Sequence, residues 1–311
     1  MQFYTYILSS SLIISSVSLA MEKENNDVLT DLAKQLGTCS SIKGKEDFLK
    51  YVAVRFPAVT STNLVVQKKM IAPFEKLIVS DGIQAILLPI TSESREHERE
   101  LTIRGNSDFI DYMLISHNDT TKTLELKVHP IAWEAVAVYC GMWERTPLEV
   151  RIATNNIKSI TTFENSLVII SQEEWDKKNY TLKVPHLRAI ANNKSTILLS
   201  GLNIEKKLTT ESRHDSLIIV EGSAKKHTAI ASNNVRGIGA TFLESEVAKV
   251  CTYNNAHVHV NPKNELIAYA RDTSKIYYAQ EPKTIEKETL DQSTIELESC
   301  EIITEHFNTG V

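Results

Sequence analysis

Tyr253, His257, His259, Tyr269, Tyr277 and Tyr278 fall close together towards the C-terminal end of the chain. Aromatic side chains on a rigid β surface suit a sugar or protein partner, because each ring offers a broad apolar face and a polar edge. These six are the candidate binding residues. His257 and His259 are two apart, so on a strand they share one face. Two imidazoles could begin a metal site. No third ligand accompanies them, and the expectation is a surface pair with no metal and no cofactor.

Other chemistry is sparse. The chain has no His-Glu-x-x-His, no Gly-x-Ser-x-Gly and no phosphate-binding loop of the Gly-Lys-Ser/Thr type. Gly237-Ile-Gly239 is only a fragment of a dinucleotide fingerprint. Glycoside hydrolysis needs two carboxylates about 5–10 Å apart. On a repetitive scaffold they would sit at matching positions of adjacent repeats. Glu164 and Glu211 fall at a turn edge, but the unit between them brings no acidic partner. Serial aspartates for calcium are also missing. Lys206-Lys207 and Lys225-Lys226-His227 read as solvated turns.

The elements that carry these residues repeat. Residues 160–170 (ITTFENSLVII), 189–199 (AIANNKSTILL), 208–219 (LTTESRHDSLII), 229–234 (AIASNN), 250–260 (VCTYNNAHVHV) and 268–278 (AYARDTSKIYY) each give a short strand, a polar turn and a second strand. A spacing near 20 residues with that content is the signature of a β-solenoid. A single unit cannot bury its own apolar side, so neighbours must stack. The fold predicted is all-β: a right-handed, β-helix-like solenoid of strand–turn–strand units with a short helical N-terminal segment. Asn165, Asn192-Asn193, Asn233-Asn234 and Asn254-Asn255 mark the turns, and His214 and Asp272 hold the same place in the other units. Asn tolerates positive φ best after glycine, and stacked Asn side chains can form a ladder. The first and third residues of the units alternate between large or Thr pairs (160/162, 208/210, 250/252) and Ala pairs (189/191, 229/231, 268/270). Either large and small rungs interdigitate, or one coil contains two units.

Composition agrees with a turn-dense β protein, with an unusual choice of turn residue. The 311 residues carry a formal charge of −5, with only 10 glycines against 19 asparagines. An acidic chain without a basic tract is a poor nucleic-acid ligand. Residues 2–20 hold no charge and end in Ser18-Leu19-Ala20, which suits cleavage as a signal peptide. An uncleaved anchor is the alternative. No later segment is long and apolar enough to span as a helix. An exported chain permits disulfides, and Cys39, Cys140, Cys251 and Cys300 allow three pairings; four separate buried thiols are the other reading. Residues 21–62 read as a helical segment, with Asn26-Asp27 as cap and Pro57 as stop. Residues 63–146 form a first β segment, 147–285 the repeats and 286–311 a tail. Within the first segment, 93–100 is a mixed-charge loop and 131–143 an apolar crossing that packs on the β segments.

Two stretches resemble a bacterial family. Residues 74–88 (FEKLIVSDGIQAILL), with 101–105 and 123–128, resemble the opening of the head GIN-domain family, labelled putative auto-transporter adhesin. Residues 148–152, the serial units and the close at 266–282 (LIAYA…IYYAQEP) resemble its repeats and its terminal Tyr-x-Gly-x-Pro turn, with Gln280 in place of the glycine. The family's Gly-Ser turns are here Asn-rich, a conservative change for left-handed backbone. The resemblance implies an exported, repetitive β protein without established enzymatic activity, and it brings no site residues.

The function expected is therefore a non-enzymatic binding or structural protein of the cell envelope, adhesin-like. It would be periplasmic, at the surface or extracellular, facing a glycan, an envelope component or a host or surface protein. A carbohydrate-active enzyme on a solenoid scaffold is the alternative. A purely architectural protein with no ligand is a third.

Overall fold

The computed structural model describes residues 64–88, 90, 100–132, 148–170, 181–233 and 237–297. The leader, the expected N-terminal helices, most of the 93–100 loop, nearly all of the apolar crossing, and Cys39, Cys140 and Cys300 lie outside them. No helix of the described residues is long and apolar enough to cross a membrane.

Seventeen strands of the described residues join into one continuous sheet that coils on itself. In chain order they are β1 (Leu64–Met70), β2 (Lys76–Val79), β3 (Gln84–Leu88), β4 (Glu100–Asn106), β5 (Met113–Asn118), β6 (Thr123–Val128) and β7 (Leu148–Ala153). Then come β8 (Ser159–Thr162), β9 (Leu167–Ile170), β10 (Leu182–Asn192), β11 (Thr196–Arg213), β12 (Leu217–Ser232), β13 (Gly237–Tyr253) and β14 (His257–Ala270). The last three are β15 (Lys275–Tyr278), β16 (Thr284–Thr289) and β17 (Thr294–Leu297). From β8 onward every pairing between coils is parallel. The result is a β-solenoid of about five turns.

The long strands bend, so each coil has three walls. Wall A stacks β8 on 188–191, then 209–213, 228–232, 249–253, 267–270 and β16. Wall B stacks β3, β9, 196–199, 217–220, 237–239, 257–260, β15 and β17. Wall C stacks 182–184, 202–204, 222–224, 243–245 and 261–262. Coils follow each other at about 4.8 Å, the strand spacing of any sheet. Alternate side chains enter the core, as the period of two requires.

The register answers the question of one unit or two per coil. Ile160 faces Ala189, which faces Thr210, Ala229, Val250 and Ala268 in turn. One unit is one coil, and large and Ala rungs interdigitate. The third unit needs a correction: its register begins at Thr210, not Leu208. Leu208 belongs to the preceding inward column, between Leu187 and His227. A shift of two leaves every side chain on the same side of the sheet, so hydrophobic pattern alone cannot detect it. The first step is longer because residues 171–180 intervene between two coils. The stack also runs beyond 285, since β16 and β17 pair with β14 and β15.

The ends differ from the middle. At the N-terminal end β2 and β3 form a coil under β8 and β9. Antiparallel β5 on β6, and β1 on β4 on β7, close the two walls there. A single helical turn, Ser107–Ile110, buries Phe109 and Ile110 in the same core. At the other end Lys287 takes an inward position, opposite Ala268. Its Nζ bonds the Tyr278 hydroxyl at 2.7 Å and lies 4.4 Å from that ring's centre. An inward charge on a terminal strand discourages further pairing.

Candidate functional site

The turn between walls A and B is built from two residues with positive φ and a buried small residue. Glu164 and Asn165, Asn193 and Lys194, His214 and Asp215, Asn254 and Asn255, and Asp272 and Thr273 all have φ between 50° and 63°. Asn233 has φ 52°. Four of these turns donate backbone N–H to the next coil's turn, as from Lys194 to the His214 carbonyl at 2.9 Å and from Asn255 to the Asp272 carbonyl at 3.1 Å. Asn254 Nδ2 donates to Asn233 Oδ1 at 2.7 Å, one rung of an asparagine ladder. Asn193 instead donates to Glu164 Oε1 at 2.7 Å.

The asparagines were readable from sequence, but the serine that follows was missed. Ser166, Ser195, Ser216 and Ser274 are buried behind their turns. Ser216 Oγ reaches the carbonyls of Ala191 and Arg213, each at 2.7 Å, and accepts from Arg213 N at 2.9 Å. Ser195 meets Thr162 Oγ1 at 2.7 Å, and Ser274 meets Thr252 Oγ1 at 2.9 Å. The signal was a serine at a fixed offset in several units.

This scaffold distributes the six candidate residues over three places. Tyr253 and Tyr269 point outward from wall A on adjacent strands, half-buried and diagonal to each other. Cys251 stands beside Tyr269 in register, exposed and free. Arg271, just past the end of β14, brings its guanidinium to 5.4 Å from the Tyr253 ring centre. Its Nε also reaches Asp272 Oδ2 at 3.2 Å. Ile230 and Ile267 flank this platform, each half-buried.

His257 and His259 share the outward side of wall B with Tyr277, but His257 is half-buried and His259 buried, which corrects the expectation of a surface pair. Tyr277 stacks on His259 with ring centres 4.8 Å apart, and both are buried. Tyr278 points inward and belongs to the core. Among the described residues no group of three His, Cys, Asp or Glu side chains is placed to hold a metal ion.

The carboxylates of Glu164 and Glu211 hold other partners. Glu164 lies in an A–B turn under the Asn193 amide. Glu211 lies mid-wall on A between two arginines: Arg188 at 3.1 Å and Arg213 closer still.

The reading of 206–207 and 225–227 as turns needs correcting. All five residues lie in strands at the corner between walls C and A. The four lysines are exposed, but His227 is buried and shares a 2.9 Å hydrogen bond with Thr210 Oγ1. Burial pushes its imidazole down to about 4.

Comparison with known proteins agrees with the fold. A family model described as "Putative auto-transporter adhesin, head GIN domain" matches residues 73–282. A "putative adhesin" from Bacteroides fragilis superposes with TM-score 0.62 at 15% identity, over 76% of this chain and 98% of its own. A "putative lipid binding protein" from Parabacteroides distasonis gives 0.54 at 12% identity, over 77% and 98%. A "putative adhesin" from Parabacteroides merdae gives 0.50 at 15%, also over 77% and 98%. At these identities the likeness is one of fold. No curated protein matches the chain.

Proposed function

The chain belongs to the family described as putative auto-transporter adhesin, head GIN domain, and on that premise we propose that it is an exported, non-enzymatic binding protein of the cell envelope. It acts as an adhesin-like module, and its partner is a surface glycan or protein. The observation that carries this reading is the outward platform of Tyr253, Tyr269 and Arg271 on wall A. Both rings are half-buried and backed by a stacked sheet, so little side-chain freedom is lost when a ligand binds. Tyr presents a flat apolar face to a sugar ring or a partner side chain and keeps a hydroxyl for hydrogen bonding. The polysaccharide-hydrolase alternative draws no support from Glu164 and Glu211, whose carboxylates are committed to an amide and to two arginines.

The test is a glycan array and a panel of envelope proteins, probed with the labelled chain and with Tyr253→Ala/Tyr269→Ala. Both rings lie outside the buried core, so their removal leaves its packing in place. The expected result is a defined set of ligands, each bound at least about tenfold more weakly by the double variant. Equal binding by the two proteins sinks the assignment to wall A. Turnover of a glycan on the array sinks the non-enzymatic reading.

A further inference from the structure

We propose that the lysine ridge at the corner of walls C and A is a binding surface for an acidic polysaccharide, separate from the tyrosine platform. Four lysines occupy two adjacent coils there: Lys206 and Lys207 on β11, Lys225 and Lys226 on β12. All four are exposed. Lys207 faces Lys226 directly in the parallel register, and His186 faces Lys207 from the coil on the other side. Among the described residues none of the four lysines makes an ion pair. Nearby cations behave differently: Lys183 pairs with Glu205 at 3.4 Å, Arg188 with Glu211 at 3.1 Å, and Lys158 with Glu75 at 2.6 Å.

Like charges set directly opposite each other on neighbouring strands are destabilising. A chain of net charge −5 has acidic side chains to spare, and it places them on the flanks. Glu205 precedes the ridge, and Glu246 and Glu265 continue the corner on the next two coils. The repulsion is relieved when an anionic ligand lies along the ridge.

Shape selects the ligand class. The ridge is one corner wide and runs along the solenoid axis, with a step of about 4.8 Å between coils. That step is comparable with the repeat of one sugar in an extended polysaccharide, so carboxylates or sulfates on successive sugars meet successive coils. A bilayer or a nucleic-acid duplex presents a broad anionic surface that also meets Glu205 and Glu246. Attraction of this exposed kind is screened by salt within about 10 Å at 0.1 M.

The experiment measures binding of the full chain to immobilised polygalacturonate, heparin and neutral dextran at low and high salt. Lys206→Gln/Lys207→Gln/Lys225→Gln/Lys226→Gln is compared with a variant of equal charge change spread over the exposed Lys69, Lys76, Lys194 and Lys283. The expected result is binding to at least one of the two polyanions and none to dextran. The ridge variant loses at least about tenfold, the dispersed variant much less, and salt weakens binding. Urea unfolding of the ridge variant at low salt is expected to match or exceed that of the parent chain. Failure to bind either polyanion, equal losses in both variants, or earlier unfolding of the ridge variant overturns the proposal. So does tighter binding to single-stranded DNA, or to vesicles of equal phosphatidylglycerol and phosphatidylcholine. Tyr253→Ala/Tyr269→Ala should keep its polyanion binding, which separates failure of this proposal from failure of the wall A reading.

Discussion

His227 makes a quantitative prediction about acid. Its column in the core runs Leu187, Leu208, His227, Ala248, Leu266, so an imidazole stands where neighbouring coils place aliphatic groups. Among the described residues its side-chain hydrogen-bond partner is the Thr210 hydroxyl, which cannot offset a buried positive charge. The folded-state value of about 4 lies below the ordinary 6.5. Between these values the unfolded chain binds a proton that the folded chain does not, so stability falls as pH falls. The contribution is complete above about pH 6.5 and is lost progressively down to about pH 4. With 1.36 kcal/mol per pKa unit, the total loss is about 3 kcal/mol, of which about 2 has gone by about pH 5. The comparison variant is Thr210→Val/His227→Leu. Leu already occupies three places in the 227 column, and Val250 and Ile160 occupy the 210 column, so both replacements match existing rungs. Urea unfolding of both proteins from about pH 7.5 to about pH 4 gives the difference in stability, provided the slopes agree. Subtraction cancels the carboxylates, including Glu75, which its hydrogen bond from Lys158 holds below the usual range. The difference should move by about 3 kcal/mol in favour of the variant as pH falls. Parallel curves, or an imidazole proton resonance that titrates near 6.5, would refute the reasoning.

Three further outcomes test the scaffold. Ser216→Ala should cost about 1–3 kcal/mol in urea unfolding, because it strips a buried hydroxyl from two carbonyls and one amide. Gly237→Ala should cost more than about 2 kcal/mol, or prevent soluble expression. The glycine has φ 71°, and an added Cβ would lie 1.7 Å from the His257 carbonyl oxygen of the next coil. Lys287→Leu removes the inward charge beside Tyr278 and should produce concentration-dependent association in sedimentation velocity, where the parent chain shows less.

How much of this was legible in sequence follows from the physics of each feature. The coil was readable because a solenoid repeats one strand–turn–strand unit, and asparagine at positive φ is a strong local signal. Register was less readable. Leu208 and Thr210 are both inward, so either satisfies the pattern, and only the pairing with Ala189 and Ala229 decides. The candidate site was half readable for the same kind of reason. Alternation could have separated Tyr277 from Tyr278, because neighbours on a strand face opposite ways. Grouping them as one cluster counted residue types and ignored the period.

The run Lys225-Lys226-His227 suggests solvent by composition, yet 227, 229 and 231 are the inward positions of β12. Strand periodicity overrides charge there: Lys226 stays outside while the imidazole next to it is drawn into the core. The same two-residue geometry puts Lys226 in line with Lys207 on the corner. The buried histidine and the exposed lysine ridge are thus one consequence of register, read on the two sides of the same sheet. A shift of β12 by one residue would bury Lys226 and dissolve the ridge together. The acid sensitivity of the core and the polyanion affinity of the corner therefore depend on the same pairing of β11 with β12.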